Sequence, residues 1–220
     1  MCTSYLGQEK IKDKNTQDEG MKKCFKVNKL VDNGITIKDK VKSSLSDSLA
    51  ELQMLKKVDE EKKFTDDIQG YVDDVVDLVK EIEAGKMNEA MQGQAELLKD
   101  MLELEIEIVT DKNLTPVEVM LEKAEDADAE DLAEKTFEKA ENELESAKKF
   151  IQANYRNNEQ VKATSTLAMR SAKHAYHVAQ EVEALKSLKP EAAEEKVLYI
   201  ESLLERNNKN FNQESVIGLS

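Results

Sequence analysis

His174, His177 and Glu181 come closest to a chemical site: at i, i+3 and i+7 of a helix they stand along one side, and two imidazoles with a carboxylate suit a transition metal. Ordinary surface or seam histidines are the competing reading. That reading is preferred, because no Glu-x-x-His pair of the bundle di-iron type accompanies them. Cys2 and Cys24 could close a disulfide in an oxidising compartment, but they lie in the least patterned part of the chain without metal-type spacing, and read equally as two incidental thiols. The acidic run over residues 122–145 suits cations or a basic partner; a solvated helix face with i,i+4 pairs such as Asp131 to Lys135 and Glu145 to Lys149 explains it as well and is preferred. Met87, Met91 and Met101 offer an adaptable contact surface, with gap-filling core as the default. No catalytic motif stands out, so the chain reads as a non-enzyme without a cofactor.

The elements that carry these residues are helical in pattern. Thr115-Pro116-Val117-Glu118 predicts a helix start, since a threonine hydroxyl can accept an orphan amide, Glu118 can reach back, and proline loses nothing at the first helical position. Beyond an acidic stretch at 125–131 that loosens the helix or passes through it, Leu132, Phe137, Ala140, Leu144, Ala147 and Ile151 recur at helical spacing. Asn154, Asn157 and Asn158 predict a turn, because their amides compete for backbone hydrogen bonds. The return arm carries Val161, Leu167, Ala168, Ala172, Ala175, Val178, Ala179, Val182 and Leu185. Its small inner residues predict close packing of two arms roughly 35 Å long.

Earlier in the chain, residues 1–33 show little periodicity and read as a mobile segment. Phe25, Val27, Leu30 and Val31 are its only expected anchor, and Asp32-Asn33-Gly34 is a turn signal. Val41, Leu45, Leu49, Leu52, Leu55 and Val58 mix three- and four-residue steps, an amphipathic helix with coiled-coil character. Ile68, Val72, Val75, Val76, Val79 and Ile82 predict a second helix, capped by Thr65, Asp66 or Asp67. Ala84-Gly85-Lys86 supplies a stop, and Met91, Leu97, Leu98, Met101, Leu104 and Ile108 mark the return, with Glu103, Glu105 and Glu107 off the stripe. Leu102 to Ile108 also alternates with period two; helix is preferred because an isolated strand would leave its ladder unpaired. The expected organisation is therefore a segment at 1–33, a first helical hairpin region at 34–110, a second helical hairpin at 115–186, and a C-terminal helix and tail at 187–220. That last helix carries Val197, Leu198, Ile200, Leu203 and Leu204, and the apolar residues 215–220 read as a docking tail or the start of a further element. Equivalent turns in the two hairpins make a divergent duplication conceivable.

Composition agrees with an all-α chain of elongated helical hairpins or a bundle with coiled-coil character. With 5% aromatic residues, no Trp and 35% charged residues in 220, the chain lacks the material for a wide core. A formal net charge of −14 argues against a nucleic-acid partner, which needs a basic surface to release counterions. No run approaches the roughly 18 apolar residues of a membrane span.

The Ala-rich run from Ala124 to Leu185, AEDADAEDLAEKTFEKAENELESAKKFIQANYRNNEQVKATSTLAMRSAKHAYHVAQEVEAL, resembles a bacterial envelope helical-hairpin domain of unknown function. That family is found in lipoproteins and ahead of OmpA-type peptidoglycan-binding domains, so the resemblance implies a periplasmic or cell-envelope location, with the cytoplasm as alternative. This chain departs from it in carrying no signal peptide and no lipobox before Cys24. If Met1 replaces a removed signal, Cys2, followed by Thr3 and Ser4, is the residue that would carry lipid. The resulting expectation is a non-enzymatic structural or protein-interaction protein. It contacts itself or another protein through helical faces, forms a homo-oligomer, and meets a membrane only through a lipid anchor. The alternative is a metal-binding helical protein using His174, His177 and Glu181.

Overall fold

The computed structural model describes residues 14–210, with side chains over 18–209, and among these residues the chain is all-α, eight helices and no strand. They are α1 (Lys14–Ser44), α2 (Ser46–Val58), α3 (Thr65–Glu83), α4 (Met87–Glu125), α5 (Ala129–Leu132), α6 (Glu134–Asn154), α7 (Asn158–Lys186) and α8 (Pro190–Asn210). Cys2 and the apolar residues 215–220 lie outside the described residues. Two compact units divide between Ile108 and Val109.

In the first unit, α2, α3 and the first part of α4 close on one core together with the last turns of α1. Leu52 and Leu55, then Ile68, Val75, Leu78 and Ile82, then Leu97, Met101, Leu104 and Ile108 are buried against one another. These positions recur every three or four residues, so each helix turns one stripe inward, and burial of each large side chain contributes about 1.5–3 kcal/mol. The α3–α4 turn is a Schellman stop. Gly85 takes φ 82°, its N–H donates to Ile82 O at 3.0 Å, and the Lys86 N–H donates to Glu81 O at 2.9 Å. The amphipathic pattern expected as one helix over Val41 to Val58 bends at Leu45, where φ is −105° and ψ 13°. Leu45 itself is fully buried, and the hydrogen bonds Leu45 N–H to Val41 O and Leu49 N–H to Leu45 O carry the chain across the bend.

Other local expectations in this unit need correction. The turn signal Asp32-Asn33-Gly34 lies inside α1, whose Thr36 hydroxyl donates to Asp32 O at 2.9 Å; a turn signal is a preference that an ongoing helical ladder overrides. None of Thr65, Asp66 and Asp67 caps α3: Phe64 holds the N-cap position without a side-chain cap. Instead the Asp59 carboxylate reaches forward from the α2–α3 loop and accepts the Lys63 N–H at 2.9 Å and the Phe64 N–H at 3.2 Å. Glu105, expected off the apolar stripe, is 2% exposed, because α4 buries a band wider than the single row of its apolar residues. The period-two stretch around it is helix throughout.

The second unit packs the last part of α4, α5, α6, α7 and their turns around Leu114, Val117, Leu121, Phe137, Ile151, Val161 and a run of alanines. Ala140 and Ala147 on α6, and Ala168, Ala172, Ala175 and Ala179 on α7, have no exposed surface. With only a methyl group at each position, two helices can approach closely, so the α6–α7 pair is an Ala-seamed antiparallel hairpin. Its turn falls at the asparagines: Asn157 Oδ1 accepts the Gln160 N–H at 3.3 Å, and Asn157 Nδ2 donates to Gln160 Oε1 at 2.9 Å.

No helix starts at Thr115. Helix α4 runs through Pro116, and the Thr115 hydroxyl donates to Asp111 Oδ1 at 2.9 Å rather than capping. A proline inside a helix costs about 3 kcal/mol. Burial of Leu114, Val117, Leu121 and Ala124 on one stripe across it offsets that cost. The acidic stretch 125–131 does loosen the chain. Helix α4 ends at Glu125, Asp128 takes φ 55°, α5 is one turn, and Ala133 breaks again at φ −141° before α6.

Candidate functional site

The three expected metal ligands all sit on α7, which turns its alanines inward and leaves His174, His177 and Glu181 exposed. Glu181 Oε2 accepts from Lys196 Nζ of α8 at 2.6 Å. That donated hydrogen bond, and then the ammonium charge, hold the Glu181 carboxyl below the ordinary carboxylate value, as an ion-pair partner. His177 stacks obliquely with Tyr176, ring centroids 5.4 Å apart. Among the described residues no group of three or more His, Cys, Asp or Glu is arranged to hold a metal ion, this trio included. Helical spacing puts the three on one side, but side chains standing outward into solvent diverge unless a second element converges on them.

The other sequence candidates are dispersed. Glu145 pairs with Lys149 at 3.1 Å as expected, whereas the helix break at Ala133 falls between Asp131 and Lys135 and removes their i,i+4 relationship. Lys148 of α6 reaches Glu118 of α4 at 2.7 Å. Met101 is core, Met87 accepts a weak hydrogen bond from the Ser44 hydroxyl at 3.8 Å, and Met91 is exposed. Cys24 lies half-buried on α1.

One concave place was missed by the sequence reading. Between α3 and α4 a groove of about 350 Å³ is lined by Asp67, Tyr71, Asp100, Glu103, Leu104 and Glu107. The Tyr71 hydroxyl donates to Asp100 O at 3.2 Å across it. Burial first, and then the carboxylates of Asp100, Asp67, Asp74 and Glu103, push the Tyr71 phenol above its ordinary value. The lining sets four carboxylates around one phenol, so the groove is acidic. The spacing Tyr71 to Asp74 and Asp100, Glu103, Glu107 was legible as a helical row, but which two rows face each other depends on the α3–α4 turn.

Two helix faces remain uncovered among the described residues. On α8, Ala193, Val197, Ile200, Leu204 and Asn207 follow heptad steps of four, three, four and three. Val197 is 55% exposed and Ile200 and Leu204 are each 47% exposed, with Leu198 and Tyr199 open beside them. On α1, the residues expected to anchor are instead open: Phe25 is 72% exposed, and Val27, Leu30 and Val31 are exposed with it. The chain matches no family model, no curated protein and no solved structure.

Proposed function

We propose that this all-α chain is a non-enzymatic structural or protein-interaction protein that self-associates through the exposed face of α8, and, from the resemblance of its Ala-rich hairpin, that it works at the bacterial cell envelope. The observation that carries the self-association is the row Val197, Ile200 and Leu204, half-exposed at heptad spacing on a helix of 21 residues. Left in water, such a row forgoes about 25 cal/mol for each Å² that a partner helix would cover. Pairing α8 with α8 of a second copy covers the row by a self-complementary contact, the commonest way for identical chains to associate, and gives the helix coiled-coil character.

The test is multi-angle light scattering with sedimentation velocity on the full chain and on Val197→Glu/Ile200→Glu. Both positions are exposed, so the variant retains its helical circular dichroism. The expected result is an oligomer for the wild type and a monomer for the variant. A wild-type chain that stays monomeric over the accessible concentration range, or a variant of unchanged mass, overturns self-association through α8.

A further inference from the structure

The uncovered part of α1 differs in kind from α8. Between Gly20 and Val31 it carries Lys22, Lys23, Lys26 and Lys29, with Asp18 and Glu19 just before the segment and Asp32 just after it; over the whole of α1 eight lysines stand against four acidic residues, in a chain whose net charge is −14. At about 100° per residue, Met21, Phe25, Val27 and Val31 fall within one arc of roughly 160°, and the four lysines fill the opposite side. Lys22 and Lys29 flank one edge of the arc, beside Phe25, and Lys23 flanks the other, beside Val27. Asn28 and the half-buried Cys24 also fall within the arc, and Leu30 is the one apolar side chain among the lysines. Met21 is 54% exposed, Phe25 72%, Val27 49% and Val31 54%.

We propose that this segment of α1 docks in the plane of an anionic lipid surface, with the arc of Met21, Phe25, Val27 and Val31 in the headgroup boundary and the lysines over the lipid phosphates. The chemistry is that of a basic amphipathic helix that lies on a membrane without crossing it. It accords with the finding that no helix among the described residues is long and apolar enough to span one. Charge complementarity selects this occupant. The field of an anionic leaflet persists over a Debye length of about 8–10 Å, close to the width of a helix, so it acts on all four lysines at once. A protein groove deep enough to seat the arc would leave Lys26, opposite its centre, in solvent. Each lysine near such a surface contributes roughly a five-fold gain in binding. The docking surface is separate from α8 and does not depend on self-association.

The experiment is vesicle flotation of the full chain, with phosphatidylcholine vesicles and with vesicles that also contain phosphatidylglycerol, at low and high salt. It is repeated for Lys22→Gln/Lys23→Gln/Lys26→Gln/Lys29→Gln, for Phe25→Asp/Val31→Asp and for the α8 variant Val197→Glu/Ile200→Glu, each checked for helicity and mass. The expected result is binding to the anionic vesicles only, weakened by salt. The lysine variant should lose at least roughly a hundred-fold in affinity, the α1 apolar variant should not bind, and the α8 variant should bind like the wild type. Absence of binding by a helical wild type, or equal binding to both vesicles, overturns the proposal. So does an α1 apolar variant that alters oligomeric mass while the wild type leaves vesicles unbound, which would assign the face to a second copy.

Discussion

Gly93 faces Leu78 so closely that a Cβ on Gly93 would stand 2.9 Å from Leu78 Cδ2, so any side chain there requires the end of the leucine to shift. Gly70, exposed on the outer side of α3, has nothing within 4 Å of the same added atom. The two glycines separate helix propensity from packing. Gly70→Ala should stabilise by about 0.5–1 kcal/mol, because alanine loses less conformational freedom in a helix. Gly93→Val should destabilise by about 1–3 kcal/mol, because the branched side chain displaces a buried leucine. Urea unfolding of both variants checks the pair; equal and favourable shifts would mean that the seam yields freely.

Asp59 is the organiser of the α2–α3 loop. Its carboxylate satisfies two backbone amides ahead of α3, and the residue is 7% exposed. Asp59→Ala should cost about 1–3 kcal/mol by leaving both donors without their acceptor, and Asp59→Asn should cost less because one amide oxygen remains. Chemical denaturation of the two variants against wild type gives the order directly.

Ser48 presents the reverse case. Its hydroxyl is fully buried in the first core without a hydrogen-bond partner among the described residues. Ser48→Ala removes a polar atom that gained nothing on burial, so a gain of about 1 kcal/mol is expected, read as a raised melting temperature. A loss instead would show that the hydroxyl meets an ordered water.

Tyr71 should report on the acidic groove. Its proton is held by burial and by the surrounding carboxylates, so its folded value lies above that of the unfolded chain. The associated stability is fully present below the unfolded tyrosine value of about 10 and is lost as pH rises through the folded value. Tyrosinate absorbance should resolve one late-titrating tyrosine that disappears in Tyr71→Phe, and Asp100→Asn should move its midpoint down.

The alanine seam of the second unit should resist enlargement. Ala172 on α7 has no exposed surface and belongs to the core that contains Ala140 and Ala147 of α6. Ala172→Leu should cost about 1–3 kcal/mol by forcing the two helices apart. Leu167 lies on the same helix and is 37% exposed; Leu167→Ala there should change stability far less. Thermal melts of the two variants make the comparison.

Much of the architecture follows from periodicity alone. The all-α class, the stop at Gly85, the turn around Asn157 and the Ala stripe of α7 are local facts, because helix registers, αL glycines and asparagine caps are chosen by residues within a turn or two of themselves. What the tertiary structure decided are the places where burial outweighs local preference. Pro116 sits inside α4 because Leu114, Val117 and Leu121 are worth more buried than the proline costs. Glu105 is buried because α4 covers a wider band than its apolar row. Asp59 holds the Lys63 and Phe64 amides ahead of α3 because the loop folds back, and no nearest-neighbour signal marks that return. The candidate surfaces divide in the same way. The stripe on α8 was legible in its spacing, whereas residues 1–33 read as weakly periodic; whether a stripe is core or open face depends on which helices reach it, and that is a property of the packed chain. His174, His177 and Glu181 share a side of α7 by spacing alone; the ion pair that engages Glu181 exists only because α8 brings Lys196 to it.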